Sequence, residues 1–317
     1  MTVPLIIYNS SALILAAGLL FLLYRHQTER VVERSILLII VELSFLLLGA
    51  ILFPMDGFGR IQLMVWGIFV HFPAYLISNI VLLRSQKKVY TSILIGIFAL
   101  ILLILVDAFL IEPHSLEVTR ITLSSEKITE PVTVALLADI QTDSPGSYEE
   151  QLLDLVEAED PDLILLAGDY LQIKDPDQYR ASVKILNSLL VEADLSPLLG
   201  SVAVRGNVDW NGWEDIFQDL EVIIVEETEM FDLGPIAITG LDWLDSENPA
   251  LEVPGVAKYH IVLGHSPNYS LGSIDGDLLL AGHTHGGQVQ LPGIGPLMTL
   301  SAVSRSWASG LTEIHLG

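Results

Sequence analysis

The segment Ala281-Gly282-His283-Thr284-His285-Gly286-Gly287-Gln288 carries two histidines two residues apart, directly after the apolar run Leu278-Leu279-Leu280. Both imidazoles then leave a strand end together, which offers neighbouring nitrogens to a metal ion. Three earlier segments share this form, an apolar run emptying into metal-capable side chains: Leu136-Leu137-Ala138-Asp139-Ile140-Gln141, Leu165-Leu166-Ala167-Gly168-Asp169 and Val202-Ala203-Val204-Arg205-Gly206-Asn207. A fifth is Ile261-Val262-Leu263-Gly264-His265. In open α/β sheets ligands bind outside the carboxyl ends of the strands, so five polar strand ends argue for one site. The chain has no cysteine, so disulfides and thiolate ligands are excluded and a metal must be held by His, Asp, Asn or Gln.

The elements that must position these residues follow from hydrophobic patterning. Leu116 to Leu123 alternates like a strand, and Pro131 precedes a buried strand over 132–138. Further strands are expected near 162–166, 201–204, 221–225, 236–239, 259–263 and 277–281, with helices near 147–158, 176–193 and 211–220. Strand runs that are apolar throughout imply coverage on both faces, hence a layered α/β domain.

The N-terminal third is different. Four apolar stretches at about residues 4–24, 35–54, 61–83 and 89–111 each approach the ~20 residues that span a bilayer core. They read as four transmembrane helices, in preference to buried helices of a soluble core. The first stretch lacks a basic leading region and ends in Tyr24-Arg25-His26, unlike a cleaved signal peptide. Arg25, Arg30 and Arg34 follow the first span and Arg84, Lys87 and Lys88 follow the third, whereas the middle loop is expected to hold only Arg60. With the basic loops in the cytoplasm, residues 113–317 lie outside the cell membrane. The expected division is a transmembrane region over 1–112 and a second domain over 113–317.

That second domain holds 33 of the 39 acidic residues and 8 of the 15 basic ones. So negative a surface repels nucleic acid and gains nothing from anionic headgroups, so no nucleic-acid partner is expected. The acidic pairs Glu149-Glu150 and Glu226-Glu227 read as solvated faces. Neither a GxSxG elbow nor a GxxxxGK[ST] loop is present, so serine-hydrolase and P-loop readings lack their residues.

In order and spacing, the five strand-end segments over roughly 130–300 resemble the calcineurin-like metallophosphoesterases, whose pattern is D-x-H, G-D, G-N-H-[D/E], G-H and G-H-x-H. The run from Gly282 to Gln288, followed by Val289-Gln290-Leu291-Pro292, looks most like the bacterial and archaeal membrane-tethered branch. The resemblance implies a β-sandwich flanked by helices and two divalent metals. Asp139, Gln141, Asp169 and His285 would hold the first, with Asp169 bridging to a second completed by Asn207, His265 and His283. Asp169, Asn207 and His283 carry the catalytic expectation. The mixed oxygen and imidazole set suits Mn, Fe or Zn, and a bridging carboxylate can hold two ions ~3.5–4 Å apart, close enough to activate a water against a phosphoester.

Two positions depart from the family pattern. Gln141 stands where histidine is usual, and its uncharged amide oxygen is a poorer donor than imidazole; Asp143, two residues on, is either a substitute or an ordinary loop carboxylate. Val208 stands where a histidine commonly protonates the leaving group, and loss of such help typically costs ~10²–10⁴-fold. Asp209 is then expected to fix the loop. The sequence therefore supports a membrane-anchored phosphoesterase acting on a phosphomonoester or phosphodiester, lipid-linked or of the cell envelope, with a weakened domain serving as a ligand- or partner-binding module as the alternative. Chains of this branch continue past the equivalent of Gly317, so either a truncated sequence or a shortened domain is expected.

Other residues have two readings. His71, His260 and His315 read first as satisfied core groups, and His114 sits at the membrane boundary. Pro73 kinks its helix and Asp107 lies near a span end, while Glu42 is the stronger intramembrane oddity. Trp210, Trp213 and Trp243 either wall the cleft or pack a core, and Arg205 contacts either phosphate or surface carboxylates.

Overall fold

A computed structural model describes residues 3–26, 29–287, 290–291, 295–296, 299 and 301–314. The chain divides into two compact units, Met1–Ser115 and Leu116–Gly317.

The first unit is a helical bundle: α1 Val3–Arg25, α2 Val31–Leu52, α3 Gly57–Trp66, α4 Phe72–Leu83 and α5 Lys88–Val106. A π-helical turn, Gly67–His71, joins α3 to α4, and a second, Asp107–Ile111, extends α5. The joined segments make four helices long and apolar enough to cross a membrane, Val3–Arg25, Val31–Leu52, Gly57–Leu83 and Lys88–His114. The third starts earlier than its apolar run because the Asp56 side chain caps it, accepting from the Gly59 N–H at 2.8 Å. Arg60 consequently lies in the first turn of α3 and not in the loop expected to hold it. The π turn ends two residues before Pro73, whose missing N–H and ring disturb the regular ladder there. Leu46, Leu63, Leu76 and Leu94 pack together inside the bundle.

The second unit is built on two four-stranded sheets. In the first, β1 Val134–Leu137, β2 Leu163–Leu166, β3 Ser201–Val204 and β4 Val222–Val225 run parallel in the order β1-β2-β3-β4. Two helices, α6 Ser147–Ala158 and α7 Pro176–Ala193, cross between them, and α7 starts where the Asp175 carboxylate accepts from two backbone N–H groups. The second sheet contains β5 Glu229–Leu233, β6 Ile236–Gly240, β8 Tyr259–Leu263 and β10 Leu278–Leu280 in the order β10-β8-β6-β5, with only the β5 edge antiparallel. The short strands β7 Glu252–Val253 and β9 Ser273–Ile274 pair beside it.

The period-2 alternation of strands explains the layering. In β2, Leu163 and Leu165 face the second sheet, packing with Ile236, Ile238, Ile261 and Leu263. Ile164 and Leu166 face the other way, against Val156, Tyr179, Val183 and Leu186 of α6 and α7. Each such leucine removed from water is worth roughly 1.5–3 kcal/mol, which is why β2 is apolar at every position. The result is the expected layered sandwich flanked by helices.

Two expected elements are absent. Leu116 to Leu123 forms no strand: Ile121 and Leu123 are exposed, so the alternation has neither a covering layer nor a paired neighbour. The helix expected over 211–220 is only a 3-10 turn, Trp213–Phe217, lying between left-handed backbone at Gly212 (φ 89°) and Asp219 (φ 63°). Conversely, β5, Glu229-Met230-Phe231-Asp232-Leu233, lies outside the expected strands; it pairs with β6 and forms the sheet edge, where Glu229 and Asp232 are exposed.

Candidate metal centre

The five segments deliver their polar residues at the carboxyl ends of parallel strands. Asp139 follows β1, Asp169 follows β2, Asn207 follows β3, His265 follows β8, and His283 and His285 follow β10. The backbone there is forced into left-handed conformations. Among the described residues eight non-glycine positions have positive φ, and five of them are Asp139, Gln141, Asp169, His283 and His285. Such conformations cost about 1–3 kcal/mol each for non-glycine residues and persist only where surroundings impose them, so strain is concentrated at the proposed ligands.

Close approach of two loops also demands glycine. A Cβ on Gly206 would sit 2.1 Å from Asp169 Oδ1, and one on Gly168 would sit 2.5 Å from the Gly206 nitrogen. Gly206→Ala is therefore expected to displace Asp169 and weaken metal retention at least tenfold, on the scale of losing an outer-shell partner. Equilibrium dialysis against a metal buffer checks this.

His265 is fully buried. Its Nδ1 lies 2.6 Å from the Ala167 carbonyl oxygen and donates to it, leaving Nε2 to face Asp169 Oδ2 and Asn207 Oδ1, each at 3.2 Å. With Nδ1 committed as the donor in a neutral ring, three electron-pair donors meet without a hydrogen between them. A cation is what such a group holds, and a backbone carbonyl orienting the other ring nitrogen is the usual support of a metal-binding histidine. Burial opposes charge on His265, but the hydrogen bond and charge of Asp169, then Asp139 and the Ala167 carbonyl, outweigh it and raise its pKa. Burial likewise pushes Asp169 up, yet His265, the Val208 N–H and the Gln141 amide together bring it below the usual carboxylate range.

Asp169, His265 and His283 present ligand atoms within 4.8 Å of one another, and so do Asp139, Asp169 and His285. Asp169 belongs to both groups, which places it where a bridging carboxylate would stand. Asp139 accepts from the His283 N–H through both oxygens, at 3.0 and 2.8 Å. Its pKa is raised, first by burial, against the lowering effect of His285 and His265. The pKa of His283 is lowered, first by burial and then by the neighbouring His265. The donor set fits two divalent ions: one group is buried at Asp169 and His265 and half-buried at His283, and the other opens to solvent at His285.

The structure sorts the remaining candidates. Gln141 is within reach, but its amide nitrogen donates to Asp169 Oδ2 at 2.8 Å. Asp143 is exposed and outside both groups. Arg205 donates to the Asp209 carbonyl oxygen, at 3.1 and 2.8 Å, meeting neither expectation held for it. Asp209 fixes the loop as expected, its carboxylate accepting from the N–H groups of Asp169, Tyr170 and Gly206 at 2.8 Å each. Trp213 stacks on Tyr170 in the core and Trp210 on Tyr179, whereas Trp243 lies 5.6 Å, ring to ring, from both His265 and His283 and walls the centre. His260 bonds Thr239 and the Asp275 carbonyl oxygen, and His71 bonds Asn9, so both are satisfied core groups. His315 lies outside the described residues, as do Gln288, Val289 and Pro292 of the extended motif.

One support escaped the sequence reading. Thr284, between the two histidines, donates to the Ala308 carbonyl oxygen at 2.7 Å, and Asn268 Oδ1 accepts from Ser301 and Ala302. The segment 301–308 thus braces the histidine loop, a role that no local pattern in it announces.

With this geometry in view, the family pattern of calcineurin-like phosphoesterases matches residues 132–287, from the first strand through the histidine loop. Residues 132–287 belong to the calcineurin-like phosphoesterase family. This metallophosphoesterase domain is similar to the Bacillus subtilis metallophosphoesterase YkoQ, 32% identical over 174 residues that cover 49% of this chain and 62% of YkoQ. It is also similar to the B. subtilis metallophosphoesterase YkuE, 28% identical over 60% of this chain and 71% of the relative. The Campylobacter jejuni metallophosphoesterase Cj0846 is 26% identical over 74% of this chain and 65% of its own. The metallophosphoesterase domain here keeps both metal-capable groups intact around Gln141 and Val208.

Proposed function

We propose that this chain is a membrane-anchored phosphoesterase that hydrolyses a phosphomonoester or phosphodiester with two divalent ions of Mn, Fe or Zn. The observation that carries this reading is Asp169, shared by two ligand groups built from four strand ends. The ions, when bound, would polarise the phosphoester and lower the pKa of a water near it. His265 and His283 would offer ring nitrogens, the first oriented by the Ala167 carbonyl oxygen, Asp139 and Asp169 would supply negative charge, and the Asn207 amide oxygen would stand beside His265 Nε2. Trp243 would pack beside the two imidazoles and limit their movement.

The four apolar helices support anchoring in the cell membrane, and the basic residues after the first and third spans support a metallophosphoesterase domain on its outer side. A substrate linked to lipid or to the cell envelope follows from that tethering. Nucleic acid is disfavoured by the acidic surface.

The chain itself offers no proton at position 208 to a departing alkoxide, so turnover should fall steeply as leaving-group pKa rises. Val208 is half-buried and its N–H donates to Asp169 Oδ1 at 2.9 Å, a bond that any side chain at 208 keeps. Val208→His is expected to raise turnover of alkyl esters by about tenfold, part of the 10²–10⁴ that a positioned general acid supplies, while leaving p-nitrophenyl esters little changed. A leaving-group series on both forms measures this.

The reading is tested by metal content. Two tightly held ions per chain in the purified full-length protein are expected, and retention of none at all in a folded protein would remove the basis of the proposal. Gln141→His is expected to tighten the more weakly held ion by about 10-fold or more, since imidazole replaces a neutral amide that now serves Asp169 as a donor. Competition with a fluorescent chelator measures it.

A further inference from the structure

Asn268 follows His265 in the same loop and is buried. Its Oδ1 accepts from the Ser301 hydroxyl at 2.6 Å and from the Ala302 N–H at 2.7 Å, and its Nδ2 donates to Glu247 Oε1 at 3.3 Å. A backbone N–H only donates and a carboxylate only accepts, so these partners dictate which way the amide points. Aspartate would have no donor for Glu247, and an aliphatic side chain would serve neither partner. A buried amide that spends its two ends on different segments of the chain joins those segments.

The segments joined are the ones that carry the rings of the metal centre. Glu247 directly follows the short helix Trp243–Ser246, whose first residue lies 5.6 Å, ring to ring, from both His265 and His283. A second tie holds this helix to the His265 loop: the Ser246 hydroxyl donates to the Trp243 carbonyl oxygen at 2.9 Å and accepts from the Ser266 N–H at 3.3 Å. Ser301 and Ala302 begin the segment whose far end, Ala308, accepts from Thr284 between His283 and His285. The His265 carbonyl oxygen closes the circuit by accepting from the Gly282 N–H at 3.0 Å.

Inside this circuit the His265 and His283 rings stand 5.1 Å apart, and the His283 ring packs edge-on against both His265 and Trp243. Asn268, Glu247 and Thr284 belong to neither ligand group, so they act on the centre through the residues they hold. Groups that orient metal ligands in this way typically change metal affinity by ~10–100-fold.

Resting on the metal-centre reading above, we propose that Asn268 is a positioning residue of that centre. Through Glu247 and the backbone at 301–302 it holds Trp243, His265 and His283 in one frame, and it makes retention of the ion at Asp169, His265 and His283 depend on the docking of residues 301–308.

The test measures the zinc affinities of the full-length protein in detergent micelles by competition with a fluorescent chelator. Asn268→Asp keeps the acceptor for Ser301 and Ala302 but sets a second carboxylate against Glu247. It is expected to weaken one zinc ion at least about tenfold and the other by less than about threefold. The loss should persist in a His285→Ala background, where Asp169, His265 and His283 are the group left intact. Adding Glu247→Gln to Asn268→Asp restores an amide–carboxylate bond with the two groups exchanged, and should recover the affinity to within about threefold, a coupling that a general loss of stability would not produce. Thr284→Val, which cuts the frame at its other end, should weaken the same ion. Two zinc ions on the unaltered protein, with affinities unchanged in Asn268→Asp and in Thr284→Val, overturn this proposal and leave the metal-centre reading standing. Failure of Glu247→Gln to rescue overturns it too, and if Asn268→Asp does not fold, unchanged affinities in Thr284→Val decide against it. An unaltered protein that takes up no zinc overturns the metal-centre reading and this proposal with it.

Discussion

Asp169→Asn is expected to lower phosphoester turnover by at least about 10³-fold, more than the 10–100-fold typical of losing an outer-shell partner of a metal. Its carboxylate is buried and belongs to both ligand groups, so neutralising it removes the one negative charge that both ions would share. The asparagine keeps the size of the side chain and an oxygen to accept from the Val208 N–H. The fold should therefore persist, with an unchanged circular dichroism spectrum, while bound metal falls from two ions per chain to one or none by elemental analysis. Loss of turnover with both ions retained would show that Asp169 acts otherwise than as a bridge.

The second large effect falls on stability. Asp209→Ala leaves the N–H groups of Asp169, Tyr170 and Gly206 without their acceptor in a buried loop. An unpartnered buried donor costs ~1–3 kcal/mol, so the expected loss is about 3–6 kcal/mol, partly relieved if water enters. That is a large fraction of the ~5–15 kcal/mol by which a domain is ordinarily stable. Denaturant unfolding of the metal-free protein, followed by the fluorescence of Trp210 and Trp213, measures it without interference from ion binding. A loss below about 1 kcal/mol would mean that the loop finds other partners.

Much of the domain was legible because burial on both faces leaves few ways to write a strand. Continuous apolar runs such as Leu163-Ile164-Leu165-Leu166 place β2 and β3 almost to the residue, and the polar residue ending each run marks the site. Legibility ended where structure depends on distant partners. Leu116 to Leu123 alternates like a strand, yet no strand among the described residues pairs with it, and β5 exists because β6 offers an edge rather than because of its own pattern. Asn211-Gly212 begins an apparent helix that left-handed backbone at both ends cuts to one turn.

The site shows the same division. Residue types and order were enough to collect Asp139, Asp169, Asn207, His265, His283 and His285. What tunes them was not readable: the Ala167 carbonyl that fixes the His265 tautomer is a backbone atom, and the bracing of Thr284 comes from residues 24 positions away or more. Trp243 and Trp213 have the same local character in sequence, but only the first meets the imidazoles, because it opens a short helix, α8 Trp243–Ser246, directly after β6 and Asp242.

The most direct test of the central claim is hydrolysis of p-nitrophenyl phosphate and bis-p-nitrophenyl phosphate by the purified full-length protein. Mn, Fe, Zn or Mg is supplied, and the Asp169→Asn form is assayed in parallel. Turnover that requires added metal and disappears in the variant is the result predicted. A folded protein that hydrolyses neither ester with any of the four metals would contradict the account and favour a domain that binds a ligand or partner without catalysis.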